Sequence, residues 1–328
     1  MTEVDRAPDA ATRRPLDAVA LARHAARLAR APAPWLHEEV ARRMAERLSL
    51  LKQAPRRVVD WGARPGGSAA ALRAACPTAR VVAADVFGAP AVAPASTAPT
   101  TTPAPWWSAR RWWPAGRGEG DAGDATNAAP PRQPQATLAT GEADLVWSNM
   151  ILHHLPDPQA SMARWLRLLA VDGLLMFSTL GPGTLASLRA LYARQRWPAP
   201  HAPFVDMHDL GDMLVQAGFA DPVMDQEVIT LTWPTAAAAL AELRTLGGNA
   251  DRARFAGLRT PRWRAALEQA LMPPHDEGNA GRVAFEFEIV YGHAVRPAPR
   301  ARVAGETAVS LDDMRGMLRS GASGKGTR

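Results

Sequence analysis

The stretch from Arg56 to Asp85, RRVVDWGARPGGSAAALRAACPTARVVAAD, limits what this chain can fold into more than any other. Val58 and Val59 read as a short buried strand ending in Asp60. A turn carrying Gly62, Gly66 and Gly67 follows, then an alanine-rich helix with Leu72. A second strand, Arg80 to Ala84, delivers Asp85. Glycines at 62 and 66 let the backbone turn tightly and approach a ligand, and the next helix offers free N–H groups at its start. A βαβ unit of this kind places a carboxylate at the end of its second strand, where it can hold ribose hydroxyls. The unit therefore predicts an adenosine-type cofactor. Arg64 stands where a full G-x-G-x-G pattern has its middle glycine. A turn of that kind also occurs in α/β proteins that bind no nucleotide.

Downstream, strands and helices alternate. Trp35 to Leu51 carries Leu36, Val40, Met44, Leu48 and Leu51 at helical spacing, and Pro55 ends that helix. Ala143 to Met150 reads as a buried strand, and Pro156 and Asp157 open a helix with Met162, Trp165 and Leu166. Asp172-Gly173 is a turn before an apolar strand from Leu174 to Leu180, and a helix follows over Gly181 to Tyr192. Asp206 suits the N-cap of a helix ending at Ala217, with Gly218 just beyond it. Val228 to Trp233 is a strand, helices lie near 235–246 and 260–272, and Val283 to Tyr291 alternates as a half-buried strand. This order predicts an α/β fold with a mostly parallel sheet and an antiparallel edge strand.

The segment 87–142 breaks the pattern. Its proline, alanine, threonine and glycine content builds a core poorly, so it reads as an inserted low-complexity loop. Inside it lies PWWSARRWWPAGR, where Trp106, Trp107, Trp112 and Trp113 surround Arg110 and Arg111. That island reads either as a short helix tucking its indoles against the domain or as a docking tract for an acidic partner or membrane surface. Residues 1–15 read as disordered, 16–296 as one domain carrying the insertion, and 297–328 as a loose tail.

The 328 residues carry a net charge of +6, and the only lysines are Lys52 and Lys325, so arginine supplies the basicity. The basic residues are dispersed, which argues against nucleic-acid binding and leaves acidic proteins as possible partners. Cys76 is the sole cysteine, which excludes a disulfide framework or a cysteine zinc site. No apolar run reaches the roughly 18 residues of a spanning helix, and MTEVDRAPDAATRR lacks a signal-peptide core. A cytoplasmic protein with no integral membrane segment is expected.

Three longer segments, ADLVWSNMILHHLPDPQASMARWLRLL, GLLMFSTLGPGTLASLRALY and HAPFVDMHDLGDMLVQAGF, resemble class I S-adenosylmethionine-dependent methyltransferases. Within that superfamily they are most similar to the BioC-type malonyl-carrier-protein O-methyltransferases of biotin synthesis. The resemblance runs from about Trp35 to Arg296, outside the insertion. It implies a Rossmann-like, seven-stranded, mostly parallel sheet with helices on both faces, and S-adenosyl-L-methionine as cofactor. It also implies, as acceptor, a malonyl group on acyl carrier protein. The same segments resemble a sister family of mitochondrial complex I assembly factors that hydroxylate an arginine. A non-catalytic binding or assembly protein on a degenerate methyltransferase fold is a further alternative, motivated by Arg64 and the insertion.

The resemblance assigns Asp60, Gly62 and Gly66 to the methionine end and backbone of the cofactor, and Asp85 to the ribose hydroxyls. Asp124, displaced by extra sequence, would follow the third strand and meet the adenine amino group. Ser148 and Asn149 end the fourth strand, where cofactor and acceptor meet. Asn149 and His153 are the catalytic candidates, and no metal site is expected. Adjacent His153 and His154 make a poor chelate, so a hydrogen-bonded pair at a strand-to-helix loop competes with any catalytic reading. Helix capping likewise accounts for Asp206 and Asp209 beside His208. At position 64 the long side chain is expected to crowd the methionine moiety. A carboxylate acceptor is ionised at neutral pH and needs no general base. An arginine is expected to grip it, but many arginines qualify.

Overall fold

In the computed structural model, residues 16–28, 30–49, 54–86, 132–134, 137–272 and 281–299 are described, with 312, 314 and 315 near the C-terminus. The Trp/Arg island and Asp124 lie outside the described residues. The chain divides into two units, Met1–Pro297 and Ala298–Arg328. In the second, Arg315 pairs with Asp312 at 3.4 Å.

The first unit holds a seven-stranded sheet. Helices α1 (Ala18–Leu28) and α2 (Trp35–Leu48) precede β1 (Arg57–Trp61). A single turn, α3 (Ala63–Gly66), and α4 (Ala69–Ala75) lead to β2 (Arg80–Asp85). Then come β3 (Arg132–Pro134), β4 (Ala143–Ser148), α5 (Pro158–Leu168), β5 (Leu169–Leu180), α6 (Ala186–Arg194) and α7 (Met207–Ala217). The chain continues through β6 (Ala220–Trp233), α8 (Ala236–Thr245), α9 (Pro261–Leu271) and β7 (Val283–Val295). The spatial order is β3-β2-β1-β4-β5-β7-β6. The first five strands pair in parallel. β7 runs antiparallel to both β5 and β6, and stands one place inside the edge.

The central strands are apolar on both faces because helices cover both. Successive residues alternate sides. Val58, Leu145, Trp147 and Met176 join a core with Leu36, Val40 and Met44 of α2 and Leu72 of α4. Val59, Val146, Leu175 and Phe177 join the opposite core with Met162 and Trp165 of α5 and Leu210 and Leu214 of α7. Trp165 is wholly buried there, edge-on to Trp61 at a ring distance of 6.3 Å.

Two helix starts follow their sequence signals. Asp157 accepts a hydrogen bond from the Ala160 N–H at 2.8 Å, and Asp206 accepts from the His208 N–H at 2.8 Å. Gly218 closes α7 with φ +99°. Other expectations shift. The turn at Asp172-Gly173 lies inside β5, with Asp172 at φ +63° and a register shift against β4. β6 begins at Ala220 rather than Val228 because it pairs with β7 along most of its length. α6 starts at Ala186, since the preceding GPG residues form turns. α1 has no counterpart among the elements expected from the sequence. β3 emerges within the segment read as a loop, where Ala83 aligns with Arg132 and Asp85 with Pro134. Three residues paired on one side only are too few to show a period.

Candidate active site

In an open parallel sheet the ligand crevice lies at the carboxyl ends of the strands. Here those ends are Asp60 and Trp61 of β1, Asp85 of β2, Ser148 at the end of β4 with Asn149 just after it, and Thr179 and Leu180 of β5. β1 continues one residue past Asp60, and the Gly62 N–H donates to the Ala84 carbonyl at 3.0 Å. Gly62 has φ +81°, and a Cβ there would stand 2.6 Å from Ile151 Cγ1. A Cβ on Gly66 would stand 2.8 Å from the Asn149 carbonyl oxygen. Both glycines are thus required by close packing of the turn on the residues after β4, in addition to any ligand approach.

Asn149 is the keystone of that packing. Its Nδ2 donates to the His37 carbonyl at 2.7 Å and to the Gly66 carbonyl at 2.5 Å, while its Oδ1 accepts from the Ser178 hydroxyl at 2.7 Å. Both amide protons are spent on the scaffold, so the side chain braces the turn rather than facing a reactant. The next residue, Met150, has φ +54°, an uncommon conformation for a non-glycine residue. Its N–H is held by Ser178.

Asp60 is 1% exposed, and neither carboxylate oxygen has a hydrogen-bond partner among the described residues. Burial pushes its carboxyl up to about 7, and the nearby Ser68 hydroxyl, which falls short of hydrogen-bond geometry, pulls it down only in part. An unpartnered buried carboxyl is costly, and a cationic or hydrogen-donating ligand group would relieve it. The ammonium of a bound S-adenosylmethionine is such a group, so the residues present fit this cofactor. The buried Ser148 hydroxyl also has no hydrogen-bond partner among the described residues. Asp85 is half-buried at the end of β2.

Arg64 is exposed and lies in α3 with no positive φ. Neither the backbone nor burial demands glycine there. Asp124 lies outside the described residues and precedes β3 in the sequence.

His153 sits on a 3-10 turn, Leu152–His154, with Nδ1 3.3 Å from the Thr179 hydroxyl. Its ring lies edge-on to His37 at 6.4 Å and to Phe204 at 5.9 Å. His37 is fully buried, and its Nδ1 bonds the Pro65 carbonyl at 2.6 Å. Burial lowers it to about 4, so it is neutral at pH 7. Sequence reading missed His37, although it shares a helix stripe with Val40, Ala41 and Met44. His37 and His153 thus link the glycine turn to a cavity of about 790 Å³ bounded by α1, α6, α8 and α9. That cavity touches His153 and His154 but none of the glycine-turn residues. Its wall is mostly apolar, includes Arg27, Arg244, Arg259 and Arg264, and among the described residues contains no acidic side chain. Asp206 and His208 stand outside it, paired at 2.9 Å on the exposed start of α7.

Residues 35–221 match the family model of a methyltransferase domain. The chain is 40% identical over 268 residues, 81% of its own length and 84% of the relative's, to a malonyl-(acyl-carrier protein) O-methyltransferase of Laribacter hongkongensis. The chain belongs to the family of these methyltransferases. A second such relative, from Gallionella capsiferriformans, is 36% identical over 84% of this chain and 88% of its own. The methyltransferase accordingly draws its methyl group from S-adenosyl-L-methionine, and the arginine-hydroxylase alternative is not favoured. Among the described residues no helix is long and apolar enough to cross a membrane.

Proposed function

We propose that this methyltransferase esterifies the free carboxylate of a malonyl thioester held on acyl carrier protein, as a cytoplasmic step of biotin synthesis. The observation that carries this reading is the cavity beyond His153, whose described wall holds four arginines and no acid. An anionic acyl group is attracted there, and the apolar lining keeps water from competing for the methyl group. The relatives from Laribacter hongkongensis and Gallionella capsiferriformans are named for the same acceptor.

Bound S-adenosylmethionine supplies a methyl group on a cationic sulfur. Asp60 holds the methionine end beside Gly62 and Gly66, and Asp85 holds the ribose hydroxyls. Asn149 fixes the turn that positions both. The acceptor carboxylate is already ionised at neutral pH, so no side chain has to remove a proton. The task left to the chain is alignment, which can supply several kcal/mol of barrier lowering. His153, held by Thr179, forms the wall between the glycine turn and the cavity and shapes the approach.

Labelled methyl transfer to malonyl-carrier protein, followed by mild alkali, tests the bond formed. An ester releases the label as methanol. Label that resists alkali would show a different acceptor atom and refute the carboxylate reading.

A further inference from the structure

Arg259 lies just before α9 and lines the cavity. Its guanidinium carbon is 4.0 Å from the centre of the Phe255 ring and 4.3 Å from that of Trp263. Aromatic contacts of this kind hold the guanidinium by its flat faces and leave the N–H edge for a planar anion. Among the described residues that edge makes no hydrogen bond and no ion pair. The neighbouring arginines differ. Arg27 donates to the Gly247 carbonyl at 2.7 Å, Arg264 pairs with Glu268 at 2.7 Å, and Arg244 is exposed. The Tyr192 hydroxyl also feels Arg259: burial raises its pKa, and the guanidinium pulls it back down. Tyr192 therefore remains a neutral donor near that charge. The start of α9 follows directly, with Thr260 capping the Trp263 N–H at 3.1 Å, and its dipole adds to the positive potential.

We propose that Arg259 is the anion receptor of the cavity and takes an oxyanion of the acceptor thioester. That oxyanion is either the free carboxylate of the acyl group or the phosphate of the carrier's prosthetic arm. The assignment deepens the acceptor reading above and rests on it for the choice of ligand. A bidentate, partly desolvated arginine–oxyanion contact accounts for a tenfold or greater share of affinity.

The test compares the full-length protein with Arg259→Gln and Arg259→Lys. Calorimetric titration uses malonyl-pantetheine, malonyl-phosphopantetheine and phosphopantetheine without the acyl group. KM and kcat are measured for the two malonyl compounds. Arg259→Gln is expected to weaken binding and raise KM at least tenfold while kcat changes less than threefold. Arg259→Lys, which keeps the charge but loses the fork, should fall between the two. Loss confined to the malonyl compounds assigns the carboxylate, and loss confined to the phosphorylated compounds assigns the phosphate. Dissociation constants of the Gln variant within twofold of the wild type for all three ligands would overturn the proposal. So would failure of the wild type to bind any of them. Thermal unfolding checks that the variants fold, and the Lys variant decides if the Gln variant does not. Should the wild type bind these ligands yet methylate neither malonyl compound, the acceptor reading fails, while the binding comparison still decides Arg259.

Discussion

The Asn149 side chain holds the Gly66 carbonyl at 2.5 Å, tying the residue after β4 to the end of the glycine turn after β1. The same Nδ2 reaches the His37 carbonyl in α2, so one amide joins three segments that are far apart in sequence. Asn149→Ala strands two buried carbonyls and the Ser178 hydroxyl. Each buried group left unsatisfied costs about 1–3 kcal/mol, so a loss of at least about 3 kcal/mol is expected. Cofactor affinity should fall with it, because the turn is no longer held. Urea unfolding and a titration with S-adenosylmethionine measure both. A variant that keeps wild-type stability and affinity would show that the brace is unimportant.

Gly62→Ala carries two separable penalties. The backbone at φ +81° is strained for alanine, and the new Cβ meets Ile151 Cγ1 at 2.6 Å. The conformational part costs about 1–3 kcal/mol. Adding Ile151→Ala to Gly62→Ala removes the clash and leaves the backbone penalty, so the double variant should cost less than the sum of the two singles. Strict additivity in a double-mutant cycle would contradict the packing account.

Asp60 and His37 impose opposite pH dependences on the cofactor-free protein. The folded Asp60 pKa, about 7, lies above the ordinary 3.8, so the native state keeps a proton that the unfolded chain has lost. Its contribution to stability falls as pH rises from about 4 to 7, by up to about 4 kcal/mol. The folded His37 pKa, about 4, lies below the ordinary 6.5, so its contribution rises with pH between about 4 and 6.5. Asp60→Asn should therefore gain stability relative to wild type between pH 4.5 and 7.5. His37→Gln should lose stability relative to wild type over the same range. Parallel stability–pH curves for wild type and either variant would refute the corresponding assignment.

Arg64 departs from the glycine pattern without structural cost, being exposed on a helical turn. Arg64→Gly should change S-adenosylmethionine affinity less than threefold and lower stability by about 0.5–1 kcal/mol, the usual penalty of glycine in a helix. A tenfold gain in affinity would restore the view of Arg64 as a block.

These sites show how far the sequence could be read. Apolar runs and caps exposed β1, β4, α5 and α7, because Val58-Val59, Asp157, Asp206 and Gly218 act locally. The seven-stranded sheet and the cofactor class came from the resemblance, which the family match supports. β3 was hidden because its three residues are held by β2 rather than by their own pattern. Asn149 is a candidate from its place just after β4, but its role as a brace depends on His37, Gly66 and Ser178, which sequence order keeps apart. His37 lies beside an apolar stripe with nothing in the sequence to mark it, and only its contacts with Phe255 and Trp263 distinguish Arg259 from the many other arginines.

The most direct test of the central claim is the intact mass of malonyl-carrier protein after incubation with this methyltransferase and S-adenosylmethionine. Acetyl-carrier protein, which has no free carboxylate, serves as the control. The account predicts a gain of one methyl group on the malonyl form and none on the acetyl form. An unchanged malonyl form at saturating cofactor, or equal methylation of both carriers, would contradict it.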